Sequence, residues 1–455
     1  MFEGFKSTNP YTGKDEYFHQ STSIDELENK IKAAHNAQLK WKQKTFEERA
    51  VYFERLRQIL LDLNEKYGKI VSQEMGKPIT EAAGEIRKCA TLCDFYSKNA
   101  RPFLKDEHIE TEFYKSMVTY EPMGVILGVM PWNFPFWQTI RFAVPTLMAG
   151  NAVLVKPAPN VFESAKALEH LFLEAGFPKD IFQTLYIHHS LTPLVLKEQV
   201  VKGVSFTGSV NGGRAVASQA AQYGKKSVLE LGGSDPFIIL EDANLSKAAK
   251  AVVISRFKNA GQTCISAKRL IILEAIADQV LPMIIDEINA LTVGNPLNEG
   301  TNIGPMARPD LVDNLEEQVK KTVDLGAKVL IGGKRKKDTN FFELTILTDI
   351  PKGSPAYSEE IFGPVLSVFV VENEAEAIEL ANDTTFGLGA SLWTNNLEKG
   401  EQLAREIQTG TVAVNSLVKS DARLPFGGIN DSGYGKELSL QGIREFVNAK
   451  VIVIN

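Results

Sequence analysis

Apolar residues recur at helical spacing through much of the first hundred positions. In the stretch Phe46–Tyr67 they fall at Val51, Phe53, Leu56, Ile59, Leu60 and Leu63, which predicts an amphipathic helix. A second helix is expected over Glu81–Asn99. Ser23, with Glu26 three residues later, reads as a capping box that opens an earlier one. Beyond residue 120 the period changes. Short apolar runs at Gly124–Met130, Ala152–Val155, Ile181–Ile187, Gly203–Phe206 and Ser227–Leu231 alternate with helical stretches at Phe134–Ala149, Phe162–Ala175 and Gly212–Tyr223. Strands alternating with helices predict a parallel sheet wound in βαβ units, of the size that binds one dinucleotide.

A second α/β pattern follows. It has helices over Ala243–Ala260, Ala277–Ile288, Leu311–Leu325 and Ala375–Asn382. Its strands are expected at Lys268–Leu273, Lys328–Ile331, Val365–Val371 and Thr411–Asn415. Asp106–Tyr120 and Phe446–Asn455 are rich in alternating or β-branched residues and belong to neither unit. They read as paired strands projecting from the body, an oligomerisation element.

Composition narrows the function classes. A chain of 455 residues exceeds one ordinary core and predicts two or three domains, and 44% hydrophobic residues exclude wholesale disorder. With 50 Lys+Arg against 56 Asp+Glu the net charge is -6, which argues against nucleic-acid or anionic-membrane partners. Three cysteines do not make a disulfide scaffold and suit a reducing compartment. The opening residues lack a basic segment followed by an apolar one, and no apolar run approaches the roughly 18 residues needed to span a bilayer. The expectation is a soluble cytoplasmic protein.

Several positions carry candidate chemistry. Cys264 sits in Asn259-Ala260-Gly261-Gln262-Thr263-Cys264 among small and polar residues that a substrate can approach, and a thiolate is a strong nucleophile. A lone cysteine reads more often as a packed small hydrophobe. Glu230 ends an apolar run before Gly232-Gly233, where ligands bind in α/β sheets. It is a candidate general base or a solvated strand-end carboxylate. Asn133, in Pro131-Trp132-Asn133-Phe134-Pro135, either donates to a developing oxyanion or caps the helix that follows. Phe206-Thr207-Gly208-Ser209-Val210-Asn211-Gly212-Gly213 follows a strand and opens a helix, the context for a pyrophosphate, although it is not G-x-G-x-x-G. Lys156 and the Glu360/Phe362 loop each read alone as ordinary surface.

Together these motifs, with Leu424–Gly435, resemble the aldehyde dehydrogenase superfamily in order and spacing over essentially the whole chain. The resemblance implies a Rossmann-type cofactor domain (residues 1–105 and 123–232), an α/β catalytic domain (233–431) and a small β oligomerisation element (106–122 and 440–455). It implies that Cys264 attacks the aldehyde, that Asn133 and the Cys264 backbone N–H hold the oxyanion, and that hydride leaves a thioester hydrolysed with Glu230 as base. NADP or NAD would bind along Pro131, Trp132, Lys156, Pro159, Gly208, Ser209, Gly213 and Leu231. Glu360 would lie at the nicotinamide ribose and Phe362 near the nicotinamide.

Many NAD-preferring relatives carry Glu three residues after the lysine. Pro159 stands there, which removes repulsion toward a 2′-phosphate and favours acceptance of NADP. Within the superfamily the chain resembles bacterial succinate-semialdehyde dehydrogenases. That resemblance implies a cation for the far carboxylate of the substrate, for which Arg141 is the first choice. Ser420, Lys419 and Arg423 follow, and Trp137 and Phe426 would wall the tunnel. A structural acid as the partner of Arg141 is the alternative. Another small aldehyde (glutarate semialdehyde, aliphatic or aromatic) or a catalytically silent relative are the competing readings; CoA acylation would leave Glu230 no water to activate. Ser266, two residues after Cys264, removes the intraloop disulfide found in some relatives. Cys89/Cys93 and His188/His189 offer no metal-ligand set. The expected assembly is a homodimer or homotetramer.

Overall fold

The computed structural model describes residues 4–455. Residues 1–3, part of the stretch read for a leader, lie outside them. A hairpin of β1 (Gly4–Thr8) and β2 (Asp15–Gln20) precedes four helices: α1 (Ile24–Trp41), α2 (Phe46–Asp62), α3 (Asn64–Met75) and α4 (Ile79–Phe103). The Ser23 hydroxyl accepts from the Glu26 N–H at 3.2 Å and the Glu26 carboxylate accepts from the Ser23 N–H at 2.8 Å, the reciprocal box that opens α1. Thr45 and Glu48 repeat it at α2. The single helix expected over 46–67 is two. Leu63 leaves the helical region (φ -112°, ψ 20°), and Tyr67 and Val71 continue the buried stripe beyond the break, so the apolar period runs on while the axis turns. Next come β3 (Glu107–Ile109) and β4 (Lys115–Pro122).

The expected βαβ unit forms from β5 (Val125–Val129), α5 (Pro135–Met148), β6 (Ala152–Lys156), α6 (Phe162–Glu174), β7 (Phe182–Thr184), α7 (Thr192–Lys197), β8 (Val201–Thr207), α8 (Val210–Gln222) and β9 (Lys226–Glu230). Every residue of α5 is buried, the polar Gln138 and Arg141 included. The second sheet uses β10 (Pro236–Ile239), α9 (Leu245–Phe257), β11 (Arg269–Leu273), β12 (Lys328–Ile331), β13 (Thr345–Thr348), β14 (Val365–Val371), β15 (Gly389–Trp393) and β16 (Thr411–Val414). The chain ends with β17 (Gly433–Tyr434) and β18 (Val447–Ile454). The sequence reading missed β10, β13 and β15, which are buried on both faces and so lack the alternation that marks a half-buried strand.

The first sheet runs β17-β9-β8-β5-β6-β7. Its five expected strands are parallel, and β17 adds antiparallel to β9. The order reverses at β5, between β8 and β6, which opens a crevice at the carboxyl ends. Those ends are level: Val129 pairs with Lys156 and Phe206, and Thr207 pairs with Glu230. The second sheet runs β12-β13-β14-β11-β10-β15-β16, parallel apart from β12. A third, β18-β4-β3, is antiparallel and joins the two segments read as projecting strands. One apolar core spans the N-terminal helices and the first sheet, and a second surrounds the other large sheet. Among the described residues no helix is long and apolar enough to cross a membrane.

Candidate active site

Four neighbouring carboxyl ends of the first sheet deliver the site. From β5 come Pro131, Trp132 and Asn133, from β6 Lys156, from β8 Gly208 and Ser209, and from β9 Glu230 and Leu231. With Pro159, Cys264, Glu360 and Phe362 they line one cavity of about 940 Å³. Gly213 does not reach it. A Cβ there would lie 2.4 Å from Leu231 Cδ2, so this glycine lets α8 pack against the strand end. The Ser209 hydroxyl accepts from the Gly212 N–H at 3.3 Å and caps α8, whose first turn borders the cavity.

Lys156 is buried, donates to the Pro157 carbonyl at 3.0 Å and has no ion-pair partner among the described residues. Burial pulls its ammonium down to about 8. A buried cation beside a crevice, with only a carbonyl for company, suits a phosphate or ribose ligand. His189, not anticipated by the sequence reading, lines the same cavity. The residues present fit a nicotinamide dinucleotide.

The nucleophile loop is held by side chains far away in sequence. Asn259 and Ala260 adopt left-handed backbone (φ 54° and 52°), followed by Gly261 at φ 74°. This strained turn lifts the chain out of α9 ahead of Cys264. Asn259 Nδ2 donates to the Asn133 carbonyl (3.0 Å) and the Gln262 carbonyl (3.2 Å), and Asn133 Nδ2 donates to the same Gln262 carbonyl at 3.1 Å. Asn133 is thus not the cap of α5; the N-cap is Phe134, which makes no side-chain cap bond. The first-turn donors of α5 go instead to Glu85 on α4, which accepts from the Phe136 and Trp137 N–H groups at 2.9 Å each and pairs with Lys77.

Lys268 is a second residue the sequence reading passed over. Its ammonium donates to the carbonyls of Thr263 (3.0 Å) and Cys264 and pairs with Glu360 at 2.9 Å, while the Gly233 N–H donates to the same carboxylate at 3.1 Å. It therefore ties the nucleophile loop to the loop of Glu360 and Phe362. Trp132 and Phe362 meet edge to face at 5.8 Å.

Cys264 keeps part of its surface at the cavity. Burial, then the Glu230 carboxylate, push its thiol well up, with Lys268 and Arg141 pulling the other way. At rest it is a thiol, so attack requires a base to take the proton as it proceeds. Glu230 is buried. Its Oε2 lies 3.0 Å from Arg141 Nη2, and its Oε1 has no hydrogen-bond partner among the described residues.

Arg141 departs from the expectation of a cation waiting at a tunnel mouth. It is 1% exposed and contacts two acids, Glu230 and, at 2.5 Å, Glu437. Burying a guanidinium without carboxylates would be prohibitive, and the fold supplies two. Glu437, brought in behind β17, is pushed up to about 7 by burial and by the charge of Glu230, against the pull of Arg141. Trp137, Arg141, Ser420 and Phe426 do not line the large cavity. Arg141 lies over the Phe426 ring at 4.8 Å, and Trp137 stands one turn before it on α5. Cys89 and Cys93 are fully buried in the helical core, and Arg256 donates to Ser266 Oγ at 2.6 Å.

Residues 2–452 match the Aldehyde dehydrogenase family. A protein of Synechocystis sp. named "Probable succinate-semialdehyde dehydrogenase", with NADP(+) given in that name, is 43% identical over 447 residues, 98% of each chain. The succinate semialdehyde dehydrogenase Sad of Escherichia coli, NAD(P)+-using by its name, is 39% identical over 98% of this chain and 97% of its own. The crystal structure of succinic semialdehyde dehydrogenase from Streptococcus pyogenes in complex with NADP+ superposes with a TM-score of 0.97 at 36% identity, covering 99% of both chains.

Proposed function

The chain belongs to the aldehyde dehydrogenase family, and from that premise we propose that it oxidises succinic semialdehyde to succinate with NADP or NAD as electron acceptor. The observation that carries the reading is the convergence of Cys264, Glu230 and Asn133 at a cavity that also holds Lys156, Pro159 and Ser209. Cys264 Sγ bonds to the aldehyde carbon as its proton passes to Glu230 Oε1. The Asn133 side-chain amide and the Cys264 N–H receive the oxyanion. A nicotinamide held in the cavity would supply the hydride acceptor needed to reach a thioester on Cys264. Glu230 gives the thiol proton up to solvent and then takes a proton from water as the water oxygen bonds to the acyl carbon; the Cys264 thiolate leaves and regains a proton from Glu230 as succinate is released. Lys156 and Ser209 hold the dinucleotide, and Glu360, fixed by Lys268 and the Gly233 N–H, takes the ribose next to the nicotinamide. The names of the relatives support the substrate.

Turnover of succinic semialdehyde by the purified protein, with reduced nucleotide followed at equal NAD and NADP, tests the reading; no turnover with either sinks it. Pro159→Glu places a carboxylate near Lys156 and His189. Its repulsion toward a 2′-phosphate is expected to shift the NADP-to-NAD ratio of kcat/KM toward NAD by about tenfold or more. An unchanged ratio removes Pro159 from cofactor selection.

The segments 106–122 and 440–455 are proposed as the oligomerisation element, attached to a cofactor domain (1–105 and 123–232) and a catalytic domain (233–431). The β18-β4-β3 sheet leaves Val451 and Val453 largely exposed on the edge strand β18, which a second copy would cover. Light scattering is expected to give at least twice the 50.2 kDa chain mass. A monomer would refute the assignment.

A further inference from the structure

Deacylation asks more of the site than a base. The water that cleaves the thioester must aim an oxygen lone pair at the acyl carbon. Both of its O–H bonds then point elsewhere, and each needs an acceptor. Glu230 Oε1 is one: it is buried at the cavity and has no hydrogen-bond partner among the described residues. A second acceptor with the same properties stands on α5. Gln138 is 2% exposed, and it is the one residue of α5 that lines the cavity shared by Glu230, Cys264 and Asn133. Its Oε1 is buried, again without a hydrogen-bond partner among the described residues.

Helix geometry turns Gln138 toward the base. Gln138 and Arg141 are three apart on α5 and so share a face, and Arg141 Nη2 lies 3.0 Å from Glu230 Oε2. The other polar groups at this end are committed. Asn133 Nδ2 donates to the Gln262 carbonyl and serves the oxyanion, and Lys268 holds Glu360 and the Thr263 and Cys264 carbonyls. Thr207 and Gln219 also line the cavity with an unpaired buried oxygen, but they belong to β8 and α8, whose ends carry Gly208 and Ser209. An amide oxygen buried without a donor is costly in a folded chain. Deacylation brings the donor that this one lacks.

We propose that Gln138 is a catalytic residue of deacylation, its amide oxygen and Glu230 Oε1 taking the two hydrogens of the attacking water. The proposal rests on the thioester reading above. One water O–H bond breaks and its proton goes to Glu230, while the oxygen bonds to the acyl carbon. The second hydrogen stays on that oxygen, held by Gln138 Oε1, and becomes the hydroxyl hydrogen of the product acid. It is lost to solvent as the acid ionises. A neutral amide suits this place. It accepts a hydrogen bond without competing for the proton, and it adds no second negative charge beside Glu230.

The test follows acylation and deacylation separately in the full-length protein, with succinic semialdehyde and with butanal. Gln138→Met fills similar space without an acceptor. It is expected to slow decay of the acyl-enzyme by about 10–10²-fold on both aldehydes. The rapid-quench burst of reduced nucleotide and the KM values for aldehyde and NADP stay within about twofold of wild type, and intact-mass spectrometry shows the acyl group accumulating on the protein. Because the amide oxygen has no partner to lose, the variant melts no lower than the wild type. Gln138→Leu serves if Gln138→Met does not fold. Unchanged acyl-enzyme decay overturns the proposal. So does a slower burst, which would place Gln138 in acylation, or a loss carried by KM for the aldehyde or for NADP, which would make it a ligand of either. A wild type that oxidises butanal but not succinic semialdehyde overturns the substrate reading, and acyl-enzyme decay with butanal then decides for or against Gln138 by the same measure. Turnover of neither aldehyde overturns both.

Discussion

Cys264→Ala is expected to abolish aldehyde oxidation, lowering kcat on the order of 10⁴-fold or more, while NAD(P) binding stays within about twofold. An aldehyde is a poor hydride donor until its carbon becomes tetrahedral, and no second nucleophile faces this cavity from the cysteine's position. The loop geometry does not depend on the thiol. It rests on the amides of Asn133, Asn259 and Gln262 and on Lys268, so the variant keeps its fold. Steady-state NAD(P)H formation and a tryptophan-fluorescence titration with the nucleotide check both halves. Activity above one per cent of wild type would end the covalent mechanism. Loss of nucleotide binding would mean that the substitution had collapsed the site.

Glu230→Gln is the second large effect, and it separates the two chemical stages. Deacylation needs a base, so the steady-state rate is expected to fall by about 10²–10⁴-fold. Acylation still proceeds at high pH, where hydroxide can take the thiol proton. A rapid quench should then show a burst of one equivalent of reduced nucleotide and a protein-bound acyl group. The absence of a burst at every pH would make Glu230 indispensable to acylation, and not only to deacylation. The substitution has an electrostatic consequence as well. The negative charge of Glu230 helps hold the Glu437 carboxyl up near 7, so neutralising it lowers that value and leaves Arg141 to Glu437 alone.

The dinucleotide side of the site was legible because each of its residues lies within a few positions of a strand end. Lys156 ends β6, Gly208 and Ser209 follow β8, and Glu230 ends β9. Once a parallel sheet is inferred, its carboxyl ends must meet along one edge, and the residues there share a crevice without further information. The substrate side was not legible in this way. Arg141 was picked out, but its partners sit 89 positions away and behind a two-residue strand that no periodicity announces. Lys268 looked like the start of a strand.

The sequence by itself determined the alternation of elements, the capped helices, the open α/β order and the six motifs that identify the family, because these are set by local period and short spacing. Tertiary structure decided which polar groups are paired and which are not: Arg141 against Glu230 and Glu437, Lys268 against Glu360, and the Gln138 amide oxygen left without a partner among the described residues. The physical reason is that a charge's behaviour depends on distance and burial. Both come from segments tens to hundreds of residues apart, and no local pattern along the chain records them.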